Sequence, residues 1–135
     1  MTIKYGDKKD FPLDALIRLY RSVHWSSAEK PLILQRSLAE SHSVVSAWVE
    51  GQLIGLGNTI SDGHLVVYYS HLLVMTEWQG KGVGSQILKR LMKRYAGFHQ
   101  QVLLADGDAV GFFTRHGFVQ AGRTKSMWIY QGDDH

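Results

Sequence analysis

The most informative segment of the chain is residues 72–84, which read Leu72, Leu73, Val74, Met75, Thr76, Glu77, Trp78, Gln79, Gly80, Lys81, Gly82, Val83 and Gly84. An apolar run, three alternating glycines and an amphipathic segment at 85–95 follow one another, which predicts a strand, a turn and a helix. Glycine lets the backbone turn its N–H groups toward one point, and the first turn of a helix adds further unpaired N–H groups. The stretch therefore predicts a binding site for a phosphate or pyrophosphate.

Two phosphate-binding motifs with other spacings can be compared with this segment. A Walker loop requires Ser or Thr after its lysine, whereas Gly82 follows Lys81. A dinucleotide fingerprint requires G-x-G-x-x-G, whereas these glycines are spaced G-x-G-x-G and Ser85 stands in place of the third. Asp106 lies roughly 20 residues downstream, where that fold places its ribose-binding acid, but too little chain follows it for a doubly wound sheet. On spacing alone, a plain turn between strand and helix stays open.

The same residues resemble the central motif of the Gcn5-related N-acetyltransferase (GNAT) family, in which a strand ending L-x-V leads into Q/R-x-x-G-x-G/A. A second segment is similar to the family's A-x-x-F-Y-x-x-x-G-F pattern: Ala109, Val110, Gly111, Phe112, Phe113, Thr114, Arg115, His116, Gly117 and Phe118. The resemblance covers nearly the whole chain and implies one domain spanning 1–135 with the acyl-CoA N-acyltransferase fold. That fold is α+β, with three α/β/α layers, about four helices and a mixed, largely antiparallel sheet of about six or seven strands, splayed at the cofactor site.

The resemblance implies acetyl-CoA as the cosubstrate. Its pyrophosphate would bind backbone N–H groups in residues 79–85, and its pantetheine arm would pair along the end of the preceding strand. An unpaired strand edge suits this arm because it offers N–H and C=O groups to the amides of the ligand. The implied cofactor-binding residues are Leu72, Leu73, Val74, Gln79, Gly80, Lys81, Gly82, Val83, Gly84 and Ser85.

The resemblance also implies transfer of the acetyl group to a primary amine of a small molecule or protein, by direct attack on the thioester. An alkylammonium group titrates near about 10.4, so a base must remove its proton before the nitrogen can attack. The strand before the motif contains Tyr68, Tyr69, Ser70 and His71 but no carboxylate, which makes His71 the first candidate base. A chain of waters in place of a dedicated base, or a purely structural His71, stays open.

The acid that protonates the leaving thiolate is a separate question. Relatives often use a tyrosine at the second aromatic position of the later motif, where this chain has Phe113, which cannot donate a proton. Tyr68 is therefore the second candidate catalytic residue, with Tyr69, Thr114 and water as alternatives. A thiol titrates near about 8.5, so a thiolate can also leave without an acid. Phe113 keeps a second hypothesis open, a non-catalytic module of the same fold that binds acetyl-CoA or coenzyme A as a sensor or regulatory ligand.

Aromatic and acidic side chains elsewhere are candidates for the acceptor pocket, because aromatic faces attract cations. Ordinary packing is the alternative for the aromatic residues, and a role in turns is the alternative for the acids. The candidates are Trp25, Tyr68, Tyr69 and Trp128, with Asp62 or Asp106 as the acid.

Composition limits the remaining classes of function. The chain has 135 residues, 44% of them hydrophobic, and a net charge of +3, which favours one soluble, cytoplasmic domain with neither a membrane nor a nucleic-acid partner. It has no cysteine, which excludes disulfides, thiolate metal sites and a cysteine nucleophile. Its seven histidines lack metal-ligand spacing, so no metal is predicted. The edges of the predicted sheet can support a homodimer.

The hydrophobic pattern predicts the other elements in outline. A first short strand is expected around residues 3–5, followed by a helix opened by Pro12 and a second helix at 31–40. The helix after Pro12 is expected to bury Leu13, Leu16, Ile17 and Tyr20. Further strands are expected at 44–49, 53–60, 65–74, 102–105, 118–121 and 127–130, with a short helix at 109–116.

Overall fold

The computed structural model describes residues 2–132, and within them it contains five strands and four α-helices. Short 3-10 turns join some of these elements, and no helix in the described range is long and apolar enough to cross a membrane. In chain order the elements are β1 (Lys4–Gly6), α1 (Leu13–Ser22), α2 (Pro31–Ala39), β2 (Ser43–Val49), β3 (Gln52–Ser61), β4 (Val66–Val74), α3 (Val83–Met92), β5 (Gln100–Leu103) and α4 (Val110–Arg115).

The five strands form one mixed sheet in the order β1-β2-β3-β4-β5. The first three neighbouring pairs are antiparallel, and β4 and β5 are parallel. A parallel pair requires a crossover, which is supplied here by the glycine turn and α3. The α+β class and the mixed, mainly antiparallel sheet agree with the prediction from sequence.

The predicted number of six or seven strands is higher than the five observed. Residues 118–121 and 127–130, which were expected to form strands, have no strand pairing. Their aromatic and β-branched composition gives them strand propensity, but that propensity is realised only where side chains are buried against neighbours. Here Val119 is 85%, Met127 93% and Ile129 95% exposed, so the burial that stabilises a strand is missing at these positions.

Helix α3 lies close against β3 because that strand has glycines at the contact. A Cβ atom at Gly57 would stand 2.9 Å from side-chain atoms of both Ile87 and Leu91, and one at Gly55 would stand 3.0 Å from Ile87. Side chains alternate across a strand, so Ile54 and Leu56 lie on the opposite face, where α1 packs. The result is a sheet between two helical layers, with the core on both of its faces.

The buried face of α1 differs slightly from the predicted one. Leu16 and Tyr20 are fully buried as expected, and Leu19 is buried with them. Leu13 and Ile17 are only partly buried. The helix therefore points its 16–19–20 stripe at the sheet, and this stripe places the Tyr20 hydroxyl beside β4.

A β-bulge interrupts the pairing of β3 with β4. Asn58 pairs with His71 and Thr59 pairs with Tyr69, so Ser70 is an extra residue in β4. An extra residue shifts the in-and-out alternation of the strand by one position. Side chains three positions apart, at 68 and 71, therefore lie on the same face of the sheet.

Asn58 stabilises this bulge from within the core. Its side chain is only 4% exposed; its Oδ1 accepts the backbone N–H of His71 at 2.9 Å, and its Nδ2 donates to Ser41 Oγ at 3.0 Å. An unpaired N–H in the core would cost about 1–3 kcal/mol. A buried polar side chain thus satisfies the backbone group that the bulge removes from the ladder.

Candidate active site

The sheet splits between β4 and β5, and the split opens a long cleft. Pairing between the two strands runs from Val66 with Gln100 to Tyr69 with Leu103, although β4 continues to Val74. Beyond Tyr69 the edge of β4 that faces β5 borders a cleft of about 800 Å³. Such an edge can pair with the amides of a bound ligand.

The glycine turn forms one end of this cleft. Gly80 and Gly82 have φ values of +76° and +83°, in the left-handed region that glycine adopts without strain. The Gln79 side chain folds back, and its Nε2 donates to the carbonyl oxygen of Val74 at 2.8 Å. The end of β4 and the turn are therefore joined by both the main chain and a side-chain hydrogen bond.

Helix α3 begins directly after the turn and presents unpaired donors to the cleft. The backbone N–H of Gln86 donates to Gly82 at 3.1 Å, so the N–H groups of Val83, Gly84 and Ser85 precede the first intrahelical bond. The positive end of the helix dipole lies at the same place. Arg115 of α4 also borders the cleft and brings a permanent positive charge. These groups fit a diphosphate at this end and an extended amide-bearing arm along β4.

Most of the residues predicted to bind the cofactor line this cleft. Nine of the ten do so; the tenth, Lys81, points its ammonium group at the Trp78 ring instead, 5.7 Å from the ring centroid. Sequence reasoning did not single out Arg115, Trp78 or Phe112, which also line it. Arg115 and Phe112 belong to the second motif, so a signal for them was present in the sequence.

A second cavity, of about 520 Å³, adjoins the cofactor cleft at the point where β4 and β5 separate. Trp25 and Asp106 line both spaces, which makes them the junction. Three of the four aromatic residues proposed for an acceptor pocket line this cavity: Trp25, Tyr68 and Trp128. The fourth, Tyr69, is buried away from it and donates its hydroxyl to Gln101 Oε1 at 2.7 Å.

Asp62, the alternative acid for the acceptor, lies in the turn between β3 and β4. Its Oδ1 accepts the backbone N–H groups of His64 and Leu65, each at 2.9 Å, and these hydrogen bonds lower the pKa of Asp62. This carboxylate organises the turn. Asp106 is therefore the acid that the structure brings to the cavity.

His71 lines the second cavity, and Tyr20 contacts its ring from the core side. The Tyr20 hydroxyl lies 2.7 Å from His71 Nδ1. This hydroxyl has no other hydrogen-bond partner in the part of the chain that the structure describes. Tyr20 is fully buried, and burial raises its pKa well above the ordinary value, so it keeps its proton. A buried O–H needs an acceptor, so Tyr20 donates to Nδ1. Neutral His71 is therefore the tautomer with its proton on Nε2.

Tyr68 and Phe113, which were also discussed for catalysis, lie on opposite sides of the junction. Tyr68 lines the second cavity, and burial raises the pKa of its hydroxyl, so it is a protonated hydrogen-bond donor at neutral pH. Phe113 lines the cofactor cleft and packs edge-to-face against Phe112, with ring centroids 5.1 Å apart. The position that is tyrosine in many relatives is here part of an aromatic wall.

The potential metal ligands of residues 2–132 do not form a cluster. No group of three or more His, Cys, Asp or Glu side chains in that range is arranged to hold a metal ion. Near the start of α3, Ser85 Oγ and His116 Nε2 form a hydrogen bond with each other at 3.0 Å. Backbone donors and Arg115 thus remain the groups that fit an anionic ligand.

Solved structures with the same fold are numerous. An acetyltransferase of the GNAT family from Streptococcus pneumoniae superimposes with a TM-score of 0.83 at 24% identity, covering 96% of this chain and 99% of the other. Glucosamine-6-phosphate N-acetyltransferase from Arabidopsis thaliana gives a TM-score of 0.68 at 16% identity, with 99% and 100% covered. An aminoglycoside acetyltransferase from an uncultured soil sample, solved with sisomicin, gives 0.66 at 20% identity, with 96% and 95% covered.

Sequence comparison identifies the family of the chain, whereas the structural comparisons show its fold. A search of curated proteins gives no significant match. The family model described as "Acetyltransferase (GNAT) domain" matches residues 20–127, most of the chain, including β4, the glycine turn, α3 and the second motif. Because that match contains the split sheet and the backbone cradle described above, the chain belongs to the GNAT acetyltransferase family.

Proposed function

We propose that the protein transfers an acetyl group from acetyl-CoA to a primary amine, by direct attack of the amine on the thioester. The observation that carries this proposal is the meeting of two spaces at Trp25 and Asp106. One space has the free edge of β4 and the N–H groups of α3 for the cosubstrate. The other space can hold an acceptor beside the point where β4 and β5 separate.

The reaction in this site needs three proton movements. The ammonium form of the acceptor loses a proton, its nitrogen lone pair forms a bond to the thioester carbonyl carbon, and the nitrogen, now positively charged, loses a second proton as the carbon–sulfur bond breaks. The sulfur leaves with the electron pair as a thiolate, which takes up a proton from a donor or from solvent. Holding both substrates at one junction makes the attack effectively unimolecular, which is a large part of the expected acceleration.

His71 remains the candidate base, and Tyr20 sets a condition on it. The lone pair of neutral His71 is on Nδ1, where the Tyr20 hydroxyl already donates. Proton uptake at Nδ1 requires that hydroxyl to turn away and lose its acceptor inside the core, which costs about 1–3 kcal/mol. A water chain that bypasses His71 avoids this cost. For the leaving group, Tyr68 is the candidate acid and solvent is the alternative.

A non-catalytic coenzyme A sensor is the second candidate function, and Phe113 is the observation that favours it. Its ring occupies a position in the cofactor cleft where a hydroxyl would serve as an acid. Binding through the backbone of α3 does not depend on that hydroxyl. A sensor would therefore bind acetyl-CoA normally and release no coenzyme A.

Release of coenzyme A with a thiol reagent separates the two functions. The chain has no cysteine, so the reagent reports only the free thiol of the product. Purified protein is incubated with acetyl-CoA and a panel of primary amines, with matched alcohols and no acceptor as controls, and products are identified by mass spectrometry. Amine-dependent release with an N-acetyl product supports the enzyme; calorimetric binding without release supports the sensor. Absence of binding to acetyl-CoA and coenzyme A would refute both.

A further inference from the structure

Ser85 and His116 connect the start of α3 to the end of α4. Ser85 Oγ and His116 Nε2 lie 3.0 Å apart, and the Phe112 ring packs against the imidazole with ring centroids 4.9 Å apart. Ser85 and Arg115 line the cofactor cleft, whereas His116 does not. His116 is therefore one hydrogen bond removed from a residue whose backbone N–H belongs to the proposed diphosphate cradle.

The charges around His116 favour its neutral form. Burial, Lys89 of α3 and Arg115 of α4 all lower the pKa of His116. The acids of the described structure that line the neighbouring cleft, Asp106 and Asp108, do not raise this pKa. At neutral pH the imidazole is therefore uncharged, and two cations oppose its protonation.

A diphosphate in the cradle would reverse this balance. Where the Ser85 hydroxyl donates to a phosphate oxygen, the negative charge lies at most about 6 Å from His116 Nε2, the length of two hydrogen bonds. An opposite charge at this distance favours the protonated imidazole. The same negative charge also offsets the repulsion from Lys89 and Arg115. Binding of the ligand and protonation of His116 should therefore favour each other.

The Ser85 hydroxyl links the two events because it has one proton to donate. Where neutral His116 accepts that proton at Nε2, the hydroxyl has no donor left for a ligand. Once the ring is protonated, Nε2–H donates to Ser85 Oγ, and the hydroxyl can donate into the cleft. Where the neutral ring already donates from Nε2, a proton at Nδ1 adds positive charge to the same arrangement. Both routes give a bound diphosphate a partner that holds an extra proton.

We propose that His116 is a positioning residue of the diphosphate site, which takes up a proton from solvent when coenzyme A binds and acts on the ligand through Ser85. This inference rests on the proposed binding of acetyl-CoA and adds to it a side chain that lies outside the cleft lining. No covalent bond of the ligand changes, and the proton comes from the buffer. Affinity for coenzyme A should therefore rise as pH falls from about 8 to about 6.

Calorimetry with dephospho-coenzyme A measures the proton uptake directly. This ligand keeps the diphosphate but lacks the 3′-phosphate, whose second pKa near about 6 would add a proton exchange of its own. Titrations at about pH 6.5 in two buffers with different enthalpies of ionisation give the number of protons taken up. We expect about half a proton or more for the unaltered protein and close to none for His116→Gln. Uptake that is unchanged in the variant, or absent from the unaltered protein, would overturn the inference.

His116→Gln also separates proton uptake from a purely structural role, because glutamine keeps hydrogen-bonding groups near Ser85 but does not titrate. At about pH 6.0 the variant should bind dephospho-coenzyme A about tenfold more weakly than the unaltered protein, whereas at about pH 8.0 the two should agree within about twofold. His99→Gln is the matched control, because His99 is exposed and does not line the cleft. Equal losses at both pH values, or the same effect in His99→Gln, would overturn the inference.

A double-mutant cycle tests the route through Ser85. At about pH 6.0, His116→Gln should lose most of its effect on the Kd in a Ser85→Ala background, because the hydroxyl that transmits the effect is gone. Additive effects of the two substitutions would overturn the inference. Binding that does not depend on pH would overturn the inference alone, whereas a complete absence of coenzyme A binding would refute the proposed function together with it.

Discussion

Gly82→Ala tests whether the backbone around the glycine turn binds the diphosphate of coenzyme A. Gly82 has a φ of +83°, and a Cβ atom built on it would meet nothing within 4 Å. The substitution therefore causes no clash, and its cost to folding is the strain of an L-residue in the left-handed region, about 1–2 kcal/mol. For a domain of this size, that strain lowers Tm by roughly 3–8 °C.

Gly97→Ala is the matched control for this strain. Gly97 has a φ of +85°, also has open space where a Cβ would stand, and lies after α3 outside the residues that line the cleft. The two variants should therefore lose similar stability. A difference between them in ligand binding can then be assigned to the position of Gly82 in the cradle.

Only Gly82→Ala should lose affinity for coenzyme A. The added methyl group occupies open space beside the N–H groups of Val83 and Gly84, and relief of its strain would also turn these donors. Loss of one charge-assisted hydrogen bond is worth about 1.5–3 kcal/mol, so the Kd for coenzyme A should rise by about 10- to 100-fold. Isothermal calorimetry measures this directly. If Gly82→Ala and Gly97→Ala bind coenzyme A equally well, the assignment of the cradle is wrong.

Three further predictions concern packing, the buried hydroxyl and pH. Gly57→Ala should lower the free energy of unfolding in urea by about 1–3 kcal/mol, because its Cβ would overpack α3; a loss below about 0.5 kcal/mol would contradict this close packing. Tyr20→Phe should cost about 1 kcal/mol of stability and, if His71 is the base, move the acidic limb of the pH–rate profile to higher pH; an unmoved limb would favour the water chain. Burial lowers the pKa of His42, so the unfolded state binds more protons, and the free energy of unfolding should fall as pH drops below about 6.5. Urea unfolding at pH 7.5 and 5.5 measures this fall, which should be smaller in His42→Gln. An equal fall in the variant would exclude His42 as its source.

The sequence was most informative where local backbone chemistry decides the structure. A glycine turn between an apolar run and an amphipathic helix leaves few alternatives, and residues 79–85 form that turn and the start of α3. The sequence was least informative at the C-terminus. Residues 127–130 have the composition of a strand, but whether they pair depends on a neighbouring edge and on burial, which are not properties of the segment. In the described structure Met127, Trp128 and Tyr130 line the second cavity instead.

The position of His71 shows why catalytic geometry was harder to predict than the cofactor cleft. Strict alternation along β4 would put Tyr68 and His71 on opposite faces, and the bulge at Ser70 brings them to one face. The bulge in turn depends on Asn58, which lies in β3, twelve positions before Ser70 in the chain. The Asn58 side chain accepts the backbone N–H of His71. The partner that sets the tautomer of His71, Tyr20, comes from a helix on that same side of the sheet. Replacing Asn58 by Leu should therefore disturb catalysis as well as stability, since the bulge that aligns His71 with the second cavity would lose the acceptor for its backbone N–H.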